Sequence, residues 1–386
     1  MIPVLAVVHP PEPSGLHSFW RARVHALERY GIVLHLAVPQ DLDASALHHF
    51  PQDQVHRLRM TRPRSSKNLV NNMEHASRLW KESGSVASLA AAISSGVVVS
   101  HGPAVLTAAL AARRFGLRHI LLLHSDTAPA VTATVMRIVG RPEYVFYETV
   151  EAFHKYRAVT HRSPCGILEP AVDEKFFARV DSGCKKSALA MLAVQSNKCV
   201  VAFIGMFSPR KAPEKVLDLA ALLQRSGVDY AVRLIGRPAT SHVSWFEAEI
   251  APRMEGLRRR GVDIALADGA DRIPEMLSVV DALLLTSASE GIPNVVLEAL
   301  CAGVPVVSLE LPGLLHLAQY PRVWESVTIV RRGSDEVVRL ASALDATLRI
   351  SQAERASTAA AARVVFSADY ASRQLAEILN GSERAR

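Results

Sequence analysis

Cysteine is scarce and scattered. The four of them, Cys165, Cys184, Cys199 and Cys301, form no C-x-x-C pair, which excludes a cysteine zinc site and a disulfide framework and suits a reducing compartment. Long apolar runs are also missing. The longest nearly apolar stretch, residues 97–112, is broken by His101, Gly102 and Pro103, so nothing reaches the roughly 20 residues that a membrane helix needs. The amino terminus, MIPVLAVVHP, lacks a basic start and a small-residue cleavage signal; no leader and a cytoplasmic location are the expectation. Aromatic residues are only 6% of the chain and interleave with no Lys/Arg run, so nucleic acid is not an expected partner. Membrane association is not expected either. The histidines show no H-x-H or H-x-x-x-H spacing, and the one D-x-D, residues 41–43, lies in a polar stretch, so no metal is expected.

What is present is an ordinary globular composition at generous length. The chain has 386 residues, 49% hydrophobic and 21% charged, enough for two or three domains with large cores. The net charge of +7 is uneven: residues 1–181 hold 20 Lys and Arg against 15 Asp and Glu, and the remainder 24 against 22. Thirteen of the fifteen histidines fall in the first part. Such a balance speaks to solubility and to steering of anions.

Short apolar runs alternate with amphipathic stretches. Strands are expected at 4–8, 32–37, 97–100, 120–124 and 144–147, with helices at 16–30, 104–115 and 128–139. Continuous apolar strands alternating with helices predict a parallel sheet covered on both faces. A polar stretch follows, and the pattern restarts with strands at 199–204, 232–235, 264–267, 282–286 and 304–308. The expected fold class is therefore α/β, two Rossmann-like doubly wound domains facing a cleft. The first spans 1–175 and the second 185–366, and a helix at about 367–380 packs back on the first. Ligands of such sheets sit beyond the carboxyl ends of the strands. The segment 57–67, with Arg57, Arg59, Arg62, Arg64 and Lys67, reads as a basic loop.

Two segments concentrate the chemistry. In Ser287-Ala-Ser-Glu290-Gly-Ile-Pro-Asn-Val-Val-Leu-Glu298, a buried strand ends, a tight loop follows at Gly291, and Pro293 stands where a helix begins. The amides of Gly291, Ile292, Pro293's neighbour Asn294 and the positive end of the helix dipole make an anion site. Glu298 lies five residues past Pro293, about 7.5 Å along the axis, and helical side chains lean back toward the amino end. Its carboxylate can then accept bonds from sugar hydroxyls. The second segment, Phe203-Ile-Gly205-Met-Phe-Ser-Pro-Arg210-Lys211, again joins a strand, a glycine turn and a helix start, now with two cations that suit a diphosphate.

Glu290 and Glu298 resemble the E-x7-E signature of the retaining GT-B glycosyltransferases of family four, the glycosyl transferases group 1. The segment Arg272-Ile-Pro-Glu-Met-Leu-Ser-Val-Val-Asp281 resembles the stretch that precedes it. Lys211 matches the family's lysine, whereas Met206 and Ala212 stand where an arginine and a glycine are usual, and Pro170-Ala171 replaces an Asn-Gly pair. The resemblance implies a metal-independent hexosyltransferase without cofactor, using a UDP-sugar as donor. Glu290, Lys211 and His124 would be catalytic. Gly205, Arg210, Lys211, Arg237, Gly291, Ile292, Pro293, Asn294 and Glu298 would hold the donor. Gly15, His101 and Asp126 would meet the acceptor. In length and layout the chain is similar to the second-step glycosyltransferases of deoxystreptamine aminoglycoside antibiotic biosynthesis, the kanosaminyltransferases, which implies an aminocyclitol pseudodisaccharide acceptor. The alternatives are an anionic lipid or glycan of the cell envelope as acceptor, a non-catalytic sugar-nucleotide-binding subunit, and a sugar-nucleotide epimerase.

Overall fold

The computed structural model describes residues 1–8, 15–42, 47, 50–60, 69–101, 104–123, 133, 136, 137, 140–177, 182–225, 228–269 and 272–381. The chain divides into two units, Met1–Asp173 with Ser367–Arg386, and Glu174–Phe366.

In the first unit every described strand is parallel to its neighbours. The strands are β1 (Ile2–Val8), β2 (Ile32–Pro39), β3 (Val55–Leu58), β4 (Val97–His101), β5 (Arg118–Leu123), β6 (Tyr144–Tyr147) and β7 (Cys165–Ile167). They lie in the order β3-β2-β1-β4-β5-β6-β7. Alternation decides which face each residue serves. Val4, Ala6 and Val8 join Leu34, Leu36 and Trp20 on one face, while Leu5, Val7 and Ala37 join Val86, Ala90 and Ala108 on the other. The second group packs under the helices Leu69–Ala92 and Val105–Phe115. The helix Ala368–Leu379 returns to this unit. Its Leu375, Ile378 and Leu379 enter the first core. Arg118 donates to the carbonyls of Leu379 and Ile378, each at 2.8 Å, while its Nε holds Glu143.

The second unit repeats the plan with β8 (Cys199–Ile204), β9 (Tyr230–Ile235), β10 (Ile264–Ala267), β11 (Ala282–Leu285), β12 (Val306–Leu309) and β13 (Val327–Val330). Their order is β10-β9-β8-β11-β12-β13. The helix Ser182–Met191 belongs to this unit. Arg233, which is 1% exposed, explains the attachment: its Nε donates to Leu192 O at 2.6 Å, its Nη2 to Ala193 O at 2.9 Å, and its Nη1 pairs with Asp263 at 2.7 Å. A buried guanidinium needs this many partners.

The expected strands are all present. β3, β7 and β13, edge strands of three or four residues, were not expected from the pattern. Residue 57, placed in the expected basic loop, lies in β3 instead. Residues 61–67 of that stretch, and much of the expected helix 128–139, lie outside the described residues. Among the described residues, no helix is long and apolar enough to cross a membrane.

Candidate functional site

In both sheets the chain starts in the middle, runs outward in one direction, then returns to build the other side. The strands flanking that reversal send their carboxyl-terminal loops apart, which opens a ligand crevice. In the second unit these strands are β8 and β11. The loops that leave them carry Arg210 and Lys211 after β8, and Glu290 and Gly291 after β11.

The two loops are tied to each other. Thr286 Oγ1 donates to Lys211 O at 3.0 Å and to Ala212 O at 2.9 Å. Ala288 N donates to Arg210 O at 2.7 Å, and Arg210 Nη1 donates to Ser289 O, also at 2.7 Å. The backbone therefore fixes where both cations begin. Pro209–Lys211 forms a single 3₁₀ turn, and Ala212 follows in the left-handed region at φ 49°. This is where glycine is usual in the family that the sequence resembles. The strain that alanine accepts there is what turns the chain into the helix Pro213–Leu223.

Glu290 lies between the cations. Its Oε1 is 2.5 Å from Lys211 Nζ and its Oε2 is 3.0 Å from Arg210 Nη1. The glutamate side chain is 10% exposed and that of Lys211 16%. Burial acts to raise the carboxyl pKa, but Lys211 and then Arg210 outweigh it and hold the group below the usual carboxylate range. The triad is thus a compact site in which two positive charges surround one anionic group.

Neighbouring loops complete the surround by close approach. A Cβ on Gly313 would lie 1.9 Å from Gly291 O, and one on Gly236 would lie 2.1 Å from Gly205 O. Only glycine permits either contact. The chain after β12 thereby rests on the Glu290–Gly291 turn, and the chain after β9 rests on the turn after β8. Phe207 N donates to Arg237 O at 2.9 Å, which places exposed Arg237 beside the β8 loop. Arg332 adds a further strut, donating through Nη2 to Ser287 O at 2.5 Å.

The helix Asn294–Cys301 begins one residue later than expected. Pro293 precedes it with extended backbone (φ −69°, ψ 118°), and no side chain caps this end. Val296 N is bonded to Pro293 O at 3.0 Å, and the uncapped start leaves the amides of Asn294 and Val295 to an anion. Glu298 is therefore four residues past the first helical residue, about 6 Å along the axis, and is half-buried.

Glu290, Arg210, Lys211, Gly205, Gly291 and Arg237 are brought together, with Ile292, Pro293, Asn294 and Glu298 following on the same strand–helix unit. The first-unit residues fare differently. His124 and Asp126 lie outside the described residues, and Gly15 is described only as the start of the helix Gly15–Arg29. His101 is fully buried at the end of β4, edge-on to Phe19 at 4.7 Å and Trp20 at 5.8 Å between ring centroids. Arg23 was not anticipated. It is fully buried, donates to Phe19 O at 3.0 Å and Glu169 O at 2.5 Å, and has its pKa lowered to about 9 by burial against the pull of Glu148 and Glu169. Gly313 and Arg332 were missed as well, because each acts on the site from another loop through backbone contacts that no local motif announces. Among the described residues no group of three or more His, Cys, Asp and Glu is placed to hold a metal.

Residues 188–320 match the glycosyl transferases group 1 family, the part of the chain that carries the two strand–loop–helix segments. Among curated proteins, D-inositol 3-phosphate glycosyltransferase of Mycolicibacterium vanbaalenii is 29% identical over 157 residues, which is 38% of this chain and 33% of that protein. The enzyme of the same name from Mycobacterium leprae is 26% identical over 259 residues, 66% of this chain and 58% of that protein. The aligned region thus spans about a third of the first of these relatives and under two thirds of the second. Among solved structures, Anabaena HepE in complex with UDP-glucose superposes with a TM-score of 0.76 at 17% identity, covering 99% of this chain and 100% of that one. Sucrose-phosphate synthase from Thermosynechococcus elongatus gives 0.74 at 16% identity, covering 99% of each. The fold is that of the GT-B glycosyltransferases, built from two Rossmann-like α/β units.

Proposed function

We propose that the protein transfers a hexosyl group from a UDP-sugar to a hydroxyl of a small cyclitol-type acceptor. The observation that carries the reading is the Arg210–Glu290–Lys211 cluster at the switch point of the second sheet. There the two oxygens of one carboxylate lie between two cations, which supports the reading.

The donor diphosphate takes the carboxylate's place. Its oxygens replace those of Glu290 on Arg210 and Lys211, with help from the amides around Gly291 and Asn294. Glu290 then turns to the hydroxyls of the transferred sugar, and Glu298 accepts from the ribose. In the reaction the bond from the anomeric carbon to the diphosphate oxygen breaks and the bond to the acceptor oxygen forms. The acceptor's proton passes to the departing UDP. The cations stabilise charge as it builds on the leaving group, the kind of preorganised electrostatic assistance that usually contributes most, and no metal is required for that role. Retention at the anomeric carbon is part of the proposal, as are the roles of Gly15, His124 and Asp126 on the acceptor side, which rest on the sequence.

The acceptor is proposed as a cyclitol because the curated relatives are named for D-inositol 3-phosphate, and the aminocyclitol pseudodisaccharide of antibiotic assembly shares that ring class. Mass spectrometry of products from UDP-glucose and a panel holding a deoxystreptamine pseudodisaccharide, D-inositol 3-phosphate and an anionic lipid tests the reading. A glycoside of either cyclitol with equimolar UDP supports it. A product on the lipid alone replaces the acceptor class. A new sugar nucleotide, or no turnover despite UDP-sugar binding, overturns it.

A further inference from the structure

A second cation cluster lies in the first unit, at the end of the sheet opposite to the strand carboxyl ends. Arg141 precedes β6, Arg162 and Ser163 precede β7, and these two strands are neighbours. They line a cavity of about 340 Å³ together with Met136, Arg137 and His161. That volume is in the range of small-ligand sites.

We infer that this cavity is a binding site for a phosphate ester, separate from the donor site of the second unit. Three observations carry the inference. First, no carboxylate is among the described lining residues, although three arginines, with five N–H donors each, line the cavity. Arg137, Arg141 and Arg162 are exposed, and no described residue pairs with them. Second, part of the helix end that borders the cavity is served without these cations. The helix Val150–Thr160 ends on this side, and three of its carbonyls have local partners: Tyr156 O has Thr160 Oγ1 at 3.1 Å, Ala158 O has His161 Nδ1 at 2.9 Å, and Thr160 O has Ser163 N at 2.8 Å. Third, Ser163 is 6% exposed and its hydroxyl has no hydrogen-bond partner among the described residues. A buried hydroxyl without a partner is costly, and an oxygen-rich anion in the cavity would accept from it. The lack of a stacking aromatic among the lining residues other than His161 favours a phosphate over a base or a sugar face.

The chemistry is shared by a soluble phosphate ester and a lipid headgroup, so the test has two arms. In the first, inorganic phosphate is titrated calorimetrically into the full chain and into Arg141→Gln/Arg162→Gln, Ser163→Ala and Lys211→Ala. The proposal expects at least tenfold weaker binding in the double variant and a threefold or greater loss in Ser163→Ala, while Lys211→Ala retains this binding event. Ser163→Ala, which removes only one oxygen, keeps the test valid should the double variant fold poorly. In the second arm, sedimentation with phosphatidylglycerol vesicles is compared with phosphatidylcholine. Arginine-dependent sedimentation identifies a headgroup; phosphate binding without sedimentation identifies a soluble ester. Phosphate binding unchanged in both cavity variants, or abolished by Lys211→Ala instead, overturns the proposal.

Discussion

The two units share one topology and differ in what stands at its reversal point. In the second, the loops after β8 and β11 bring Arg210, Lys211 and Glu290 within ion-pair distance, and Gly313 and Arg332 brace them from behind. In the first, the equivalent strands are β1 and β4. There β4 ends in His101, sealed against Phe19 and Trp20. The fold offers a crevice in both places, and among the described residues a cluster of paired charges is seen at the second. A likeness of fold is therefore weak ground for function; the charged cluster is the stronger ground.

The sharpest contrast to test is between the two fully buried arginines. Arg233 pairs with Asp263, whereas Arg23 rests on carbonyls. Arg233→Met leaves Asp263 with Lys198 alone, at 2.9 Å, and undocks the helix Ser182–Met191, for an expected loss of about 3 kcal/mol in urea unfolding. Arg23→Met removes a charge that burial already disfavours, and about 2 kcal/mol is expected. Equal losses would break the contrast.

Activity should divide in the same way. Lys211→Ala is expected to lower kcat/KM for the UDP-sugar by about 100- to 1000-fold, as when a preorganised transition-state donor is removed. His101→Asn should lower Tm through its core contacts and leave kcat/KM of the folded protein unchanged. A steady-state comparison at saturating acceptor decides it; a large fall in kcat/KM for His101→Asn would return that residue to the site.

Acid should act on the first unit. His119 is buried beneath a 2.8 Å bond to Ser100, and burial lowers its pKa from 6.5 to about 4. The folded state therefore disfavours the protonated ring. Its contribution is complete above about pH 6.5 and is lost as pH falls toward 4, about 3 kcal/mol in all. Thermal melts from pH 7 to 4 should show this decline, and His119→Gln should flatten it. The smallest expected effect is at the turn after β8 in the second unit. Ala212→Gly relieves a left-handed alanine and should raise stability by about 0.5 kcal/mol, read as a slight rise in Tm.

What was legible in the sequence follows from the same contrast. Apolar strands such as β1, β8 and β11 announce themselves, since a parallel strand buried on both faces must be apolar throughout. The second unit's site was legible because its groups sit in two contiguous segments at strand ends, so sequence order nearly gives spatial order. Glu290 was read there as catalytic; its salt bridges to Arg210 and Lys211 depend on two loops nearly eighty positions apart and needed coordinates. Gly313 escaped notice because its role is a backbone approach to Gly291. The packing of His101 against Phe19 and Trp20 was not legible, because a strand end points toward ligand or core depending on the next helix.

The central claim is that Glu290 occupies the place of a donor phosphate. Calorimetric titration of UDP into Glu290→Gln and the unaltered protein tests it most directly. With the competing charge removed from Arg210 and Lys211, the account predicts tighter UDP binding by the variant; unchanged or weaker binding would contradict it.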